Sequence, residues 1–226
     1  AASALGIPFS LYLANLYSWH TPFYALVTIG CVVLLAMVFF LPKVDRHLKT
    51  ASGQPRQNPF LMVYSMLRNA NRLRSLLFIS LLVLGQFSVI PFIAPYLTLN
   101  VGFDGSQLTL MYLIGGVATV FSAPFIGRLA DRFGTQITFR WVALLSAIPI
   151  LGITLAEYLP SIYWVYVITG LFFIFVSGRF IPATTLVTAT VDAQQRGSFM
   201  SVVSSMRQLS NAVGSLVGGL VIIQAA

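Results

Sequence analysis

Gly127-Arg128-Leu129-Ala130-Asp131-Arg132-Phe133-Gly134 is the stretch on which the reading of this chain turns. Two glycines, two arginines and one acid stand together between two apolar runs, Gln107–Ile126 and Ile137–Glu157. Gly127 and Gly134 permit close backbone approach or a positive φ, so the octapeptide reads as a tight turn. Arg128 and Arg132 can face anionic lipid or carboxylates, and Asp131 is the lone acid among them. A switchable ion pair is one reading of that acid; a solvated charged turn is the other.

Outward from this turn the chain is apolar. Of its 226 residues 58% are hydrophobic and 8% charged, against about 25% charged in soluble domains. Seven stretches stand out: Ala1–Tyr17, Pro22–Leu41, Ser75–Leu99, Gln107–Ile126, Ile137–Glu157, Ile162–Ser177 with a polar continuation, and Phe199–Ile223. Most have the roughly 20 residues that a helix needs to cross hydrocarbon. Barrel strands alternate apolar and polar residues, whereas Leu76–Leu84 shows no alternation. The fold class is therefore an all-α polytopic membrane protein with seven transmembrane helices.

A net charge of +8 would suggest nucleic acid in a soluble chain, but here it reports topology. Lys43, Arg46, Lys49, Arg56, Arg68, Arg72 and Arg74 share one connection, Arg128, Arg132 and Arg140 the next on that side, and Arg179, Arg196 and Arg207 surround the last. The opposite connections, Ser18–Thr21, Asn100–Ser106 and Tyr158–Ser161, hold no Lys or Arg. By the positive-inside rule the basic side is cytoplasmic, residue 1 starts there, and nucleic acid is no partner. Cys31 reads as a packed apolar thiol. His20 and His47 lack partners at ligand spacing, so neither a metal nor a cofactor is expected. No nucleophile–base set or phosphate loop appears, which argues against an enzyme.

The chain opens on Ala1 inside a span and stops at Ala226 straight after the seventh, which reads as a piece cut from a longer protein. Lys43–Arg74 is the longest connection; within it Asn58-Pro59 offers a cap and first turn for a basic helix in the headgroup layer, tethering two bundles.

Gly-x-Leu-Ala-Asp-Arg-x-Gly between two spans on the cytoplasmic side resembles the signature loop of the major facilitator superfamily of secondary transporters. Gly6-Ile-Pro8 with Trp19-His20 and Phe23 is similar to the fifth span and outer hook of bacterial drug and sugar exporters of that family. Gly178-Arg-Phe-Ile-Pro-Ala183 and Arg196-Gly-Ser-Phe-Met-Ser201 are similar to their tenth span and the loop after it. Four spans precede the signature, so the visible spans take the numbers 5 to 11 of a twelve-helix fold. Residues 1–42 then hold the last two helices of an amino-terminal bundle, 43–74 the cytoplasmic linker, and 75–226 a carboxy-terminal bundle without its final helix. Leu5-Gly-Ile-Pro-Phe-Ser10 lacks the closing glycines of the efflux pattern, and Thr135-Gln136 replaces the usual basic residues, so proton antiport follows less directly than membership.

The resemblance makes spans 7 and 10 walls of a central cavity. Gln86, about 16 Å above the cytoplasmic end of its span, is the side-chain amide deep in span 7. It reads either as an interhelical hydrogen-bonding group or as a substrate contact. Pro91 and Pro95 can bend that span, and Tyr96 sits nearer the outer mouth. Thr169 and Phe173 lie at comparable depth in span 10. No acid or base falls in the middle third of any visible span, and Arg179 falls at the cytoplasmic interface. There it either snorkels to headgroups or pairs with Asp131 or Asp192 as a gate. The gate set is thus Gly127, Arg128, Asp131, Arg132, Gly134 and Arg179, and the cavity set Gln86, Tyr96, Thr169 and Phe173. Gly214-x-x-x-Gly218 and Gly115-Gly116 read as helix contacts.

The expected function is a secondary active exporter of small molecules in the bacterial inner membrane, working by alternating access as a monomer, with protons as the candidate coupling ion. The alternatives are a transporter-like sensor and a seven-helix receptor. The lysines Lys43 and Lys49 lie outside the spans, which removes a retinal protein, and a receptor would begin on the outer face. Asp131→Asn in the full-length protein should reduce transport at unchanged expression; unaltered flux would remove Asp131 from the gate.

Overall fold

The computed structural model describes residues 6–40 and 66–225, all helices and connections with no strand among them. The expected linker helix after Asn58-Pro59, most of Lys43–Arg74, and Ala1–Leu5 lie outside the described residues. Span 5 is α1 (Ile7–Leu16) and span 6 is α2 (Thr21–Phe40). Span 7 comes in two pieces, α3 (Ala70–Phe87) and α4 (Ile90–Leu99). Span 8 is α5 (Gly105–Phe133) and span 9 is α6 (Thr135–Thr154). Span 10 is again divided, into α7 (Ile162–Gly178) and α8 (Phe180–Thr188), and span 11 is α9 (Arg196–Ala225). Thr21–Phe40, Ala70–Leu99, Gly105–Phe133, Thr135–Thr154 and Ile162–Thr188 are each long and apolar enough to cross a membrane. The polar residues of α9, Arg207 and Asn211 among them, dilute its apolar character, and α1 has 10 described residues.

Local chemistry sets the ends. Asn69 caps α3, its Oδ1 accepting from the backbone N–H groups of Asn71 and Arg72. Asp104 and Gln107 form a reciprocal capping box at the start of α5, on the side assigned as outer because it lies away from the basic residues. The Gln107 N–H and the Ser106 hydroxyl hold the Asp104 carboxyl below its usual range, so this cap is lost only as pH falls through that lowered value. Ser161 caps α7.

Prolines divide spans 7 and 10. Pro91 has no N–H to give to Phe87, and Pro182 none to give to Gly178; in each case the ring also crowds that carbonyl. The helix breaks at Ser88–Val89 in one span and at Arg179 in the other. With 10 residues in α4 and 9 in α8, the first break lies about 15 Å from the outer end and the second about 14 Å from the cytoplasmic end.

Each divided span feeds two cores. An outer core joins Ile93 and Leu97 of α4, Met111 of α5, Ile153 of α6 and Val165, Phe172 and Val176 of α7. A cytoplasmic core joins Met66, Leu76 and Ile79 with Ala183 and Val187 of α8 and Phe199 and Val203 of α9. α1 and α2 pack on one another, and α1 also packs on α5. No residue of α2 is buried, so Cys31 is exposed rather than packed: among the described residues only α1 lies substantially against its helix.

α9 lies against α3 through glycine. A Cβ on Gly214 would stand 2.6 Å from the Leu84 carbonyl oxygen, and one on Gly218 2.6 Å from that of Ser88. The Gly-x-x-x-Gly contact therefore seats α9 on the backbone of span 7 at its break. A Cβ on Gly219 would meet Phe92 at an ordinary 3.6 Å. Gly218→Ala should destabilise the full-length protein by about 1–3 kcal/mol, read as a lower thermal midpoint in detergent, while Gly219→Ala leaves it unchanged. Equal midpoints would show that the helices separate freely.

Candidate functional site

The signature motif is not a loop. Gly127 through Phe133 continue α5 for two further turns, and the connection to α6 is Gly134 alone, at φ 89° and ψ 141°. Of the two glycines, which permit close approach or a positive φ, Gly134 has the positive φ and Gly127 is helical. A residue with a Cβ is strained at such a φ, which is why glycine stands at this turn. The 29 residues of α5 span about 44 Å, more than the roughly 30 Å of hydrocarbon, so the motif extends toward the aqueous side. Arg128, Asp131 and Arg132 are exposed, and the Arg132 guanidinium lies 5.3 Å from the centre of the Phe133 ring.

Arg179 stands nine residues before the end of its helical span: the polar continuation after Ser177 is helical, as α8, to Thr188, because Pro182 bends the helix without ending it. Arg179 is thus held inside the span, half-buried, its guanidinium donating to Ser146 Oγ of α6 at 3.4 Å. Its Nε is buried without a partner among the described residues. Among the described residues no ion pair joins it to Asp131 or Asp192 in this structure; the guanidinium turns toward α6. Opposite Arg179, the Cβ-free surface of Gly178 admits the side chain of Ile126, which locks α5 into the bend.

Arg207 is a second internal cation that sequence reasoning placed outside. It donates to Thr184 Oγ1 at 2.9 Å, lies 5.8 Å from the Phe180 ring centre, and keeps a buried, unpartnered Nε. Counting 11 residues from Arg196 at the start of α9 would have found it, at about 17 Å into the helix. Two bases therefore stand in the middle third of their spans, where none was expected.

The four cavity residues do not share one wall. α3 begins at Ala70 instead of Ser75, so Gln86 lies about 24 Å from its start, two residues before the break, with its Oε1 buried and without a partner among the described residues. Tyr96 lines an outer cleft of 240 Å³ with Ser88, Phe92, Thr154 and Ile222, and its hydroxyl donates to the Thr154 carbonyl oxygen at 3.2 Å. Thr169 is buried, its hydroxyl donating to the Val165 oxygen of its own helix. Phe173 lies over Gly115 of α5, where a Cβ would collide with the ring, and edge-on to Tyr112. Thr119 joins the same two spans, donating to the Gly115 oxygen at 2.8 Å and lying 3.4 Å from that of Phe173.

The fold class is that of a polytopic helical membrane protein with two divided spans. Residues 1–215 match the sequence profile of the Major Facilitator Superfamily, and the chain belongs to that family. It is 29% identical over 224 residues to the transcription regulatory protein OpdE of Pseudomonas aeruginosa, covering 97% of this chain and 52% of that protein. The uncharacterized MFS-type transporters YbcL and YfhI of Bacillus subtilis are 25% and 24% identical, over 97% and 98% of this chain and 54% and 53% of theirs. The chain spans about half the length of these relatives.

Pro182→Ala returns an N–H that can donate to the Gly178 oxygen. The distance between spin labels at the outer end of α7 and the cytoplasmic end of α8 should then lengthen in the full-length protein. An unchanged distance would assign the bend to the packing of Gly178 on Ile126.

Proposed function

We propose that the whole protein is a secondary transporter that exports small molecules across the bacterial inner membrane by alternating access, with residues 75–226 as its carboxy-terminal bundle, 43–74 as the linker and 1–42 in the partner bundle. The observation that carries the reading is the pair of proline breaks in spans 7 and 10, one near each membrane face. Interrupted spans in corresponding positions of two repeats mark the moving parts and the substrate path of transporters. Each break joins a half-helix fixed in one core to a half-helix fixed in the other, so either end can swing while the other stays packed.

In this reading Gln86 and Tyr96 meet the substrate on span 7. Thr169 and Phe173 hold span 10 against α5, and the motif from Gly127 to Gly134 caps the cytoplasmic gate. Arg179 and Arg207 keep their charge at any physiological pH. A proton-coupled cycle therefore draws its titratable acid from outside the membrane-spanning helices described, and the antiport reading rests on the family likeness.

A second reading has one finding in its favour: the relative at 29% identity is named a transcription regulatory protein. In that case the same bistable bundle would report a ligand without moving it. Full-length protein in vesicles loaded with a panel of sugars and cationic dyes, given an imposed proton gradient, separates the two. Gradient-dependent release of a panel member is the expected result. Absence of release, together with altered transcription on deletion of the gene, would favour the sensor.

A further inference from the structure

A cleft of 410 Å³ opens between α3, α6 and α8, away from the outer cleft that Tyr96 lines. Arg74, Arg140, Gln136 and Thr190 line it together with Phe78 and Phe139, whose rings meet edge to face with centres 5.0 Å apart. No carboxylate is among its described lining residues. Two guanidinium groups and two aromatic rings, on the basic side of the chain, form a surface complementary to an anion with an apolar body.

The hydroxyls sharpen the chemistry. Ser75 Oγ already donates to the Asn71 oxygen at 2.9 Å, and Thr190 Oγ1 to the Val187 oxygen at 2.7 Å. Their protons are engaged, so they offer lone pairs to a ligand's hydroxyls and nothing to its phosphate. The phosphate is left to the two arginines, each able to grip two oxygens. Leu77 of α3 and Ile137 and Trp141 of α6, on two of the helices that form the cleft, are exposed apolar side chains that acyl chains can meet.

We propose that this cleft binds one anionic phospholipid of the cytoplasmic leaflet, with the phosphodiester between Arg74 and Arg140 and a hydroxylated headgroup toward Ser75, Thr190 and Gln136. The inference rests on the orientation given by the charges and is independent of whether the protein moves a substrate. The chain's own segment 43–65 is a poor occupant: it carries Lys43, Arg46, Lys49 and Arg56 against Asp45, and like charges would face one another. Because the lipid would touch spans 7, 9 and 10 together, it would brace α3, which leads into the outer break, against α8, which leads out of the inner one.

The test uses full-length protein in nanodiscs of phosphatidylcholine with and without phosphatidylglycerol, bound lipid being counted by native mass spectrometry. At about 1 kcal/mol for each arginine near the surface, Arg74→Gln with Arg140→Gln should weaken phosphatidylglycerol binding about thirtyfold. Arg68→Gln, on the same side but outside the cleft, should leave it unchanged, and Arg74→Lys with Arg140→Lys should keep most of it. Wild-type affinity in the double Gln variant would overturn the proposal, as it would if a protein segment covered the cleft. Displacement of the lipid by an equal concentration of inorganic phosphate would also overturn it, by showing an adventitious anion site only.

Discussion

In hydrocarbon a backbone N–H or C=O has no water to turn to, so each must find its partner within the protein. That constraint makes this chain helical, and of the prolines in its spans two, Pro91 and Pro182, stand where a helix is divided. At Pro91 and Pro182 an N–H is missing and a carbonyl is freed. Near the first break Ser88 donates its hydroxyl to the Leu84 oxygen at 2.9 Å, and Gly214 and Gly218 let α9 approach the Leu84 and Ser88 carbonyls closely. At the other break Gly178 makes room for Ile126. Small residues stand wherever a bent backbone must be approached closely.

The division into an outer and a cytoplasmic core follows from those breaks. A straight span would tie both cores into one rigid body. Spans 7 and 10 instead give one half to each, in opposite order, as antiparallel helices broken near opposite faces must. Gly115 seated under Phe173 and the Thr119 hydroxyl shared between Gly115 and Phe173 hold α5 to α7 in the outer core. Arg207 and Thr184 hold α9 to α8 in the inner one. Arg179 lies at the joint itself, its guanidinium donating to Ser146 Oγ. A guanidinium half-buried with an unpartnered Nε is costly unless something compensates it, and its place at the joint ties that cost to the geometry of the bend.

Much of the site was legible because membrane sequences carry few polar residues, and each one stands out. Asp131, Arg179, Gln86 and the glycine pair of α9 were all visible against an apolar background. Less legible was how far a helix runs past its last apolar residue. The polar continuation after Ser177 is helical to Thr188, with Thr185 and Thr188 returning their hydroxyls to carbonyls of the preceding turn, so Arg179 stands within the helix instead of at its end. Span 8 likewise runs past Ile126, and Arg128 and Asp131 are helical residues.

By itself the sequence determined that the chain is a bundle of membrane helices, which side of it is basic, and which family it belongs to. Apolar length, one-sided charge and a motif at fixed spacing are properties of the chain alone. Only the tertiary structure decided that Arg179 turns to Ser146 instead of to an acid, that Arg207 reaches Thr184, and that Arg74 and Arg140 come together across one cleft. Those outcomes depend on the angle at which each helix crosses its neighbour, and that angle is set by packing between residues far apart in the chain.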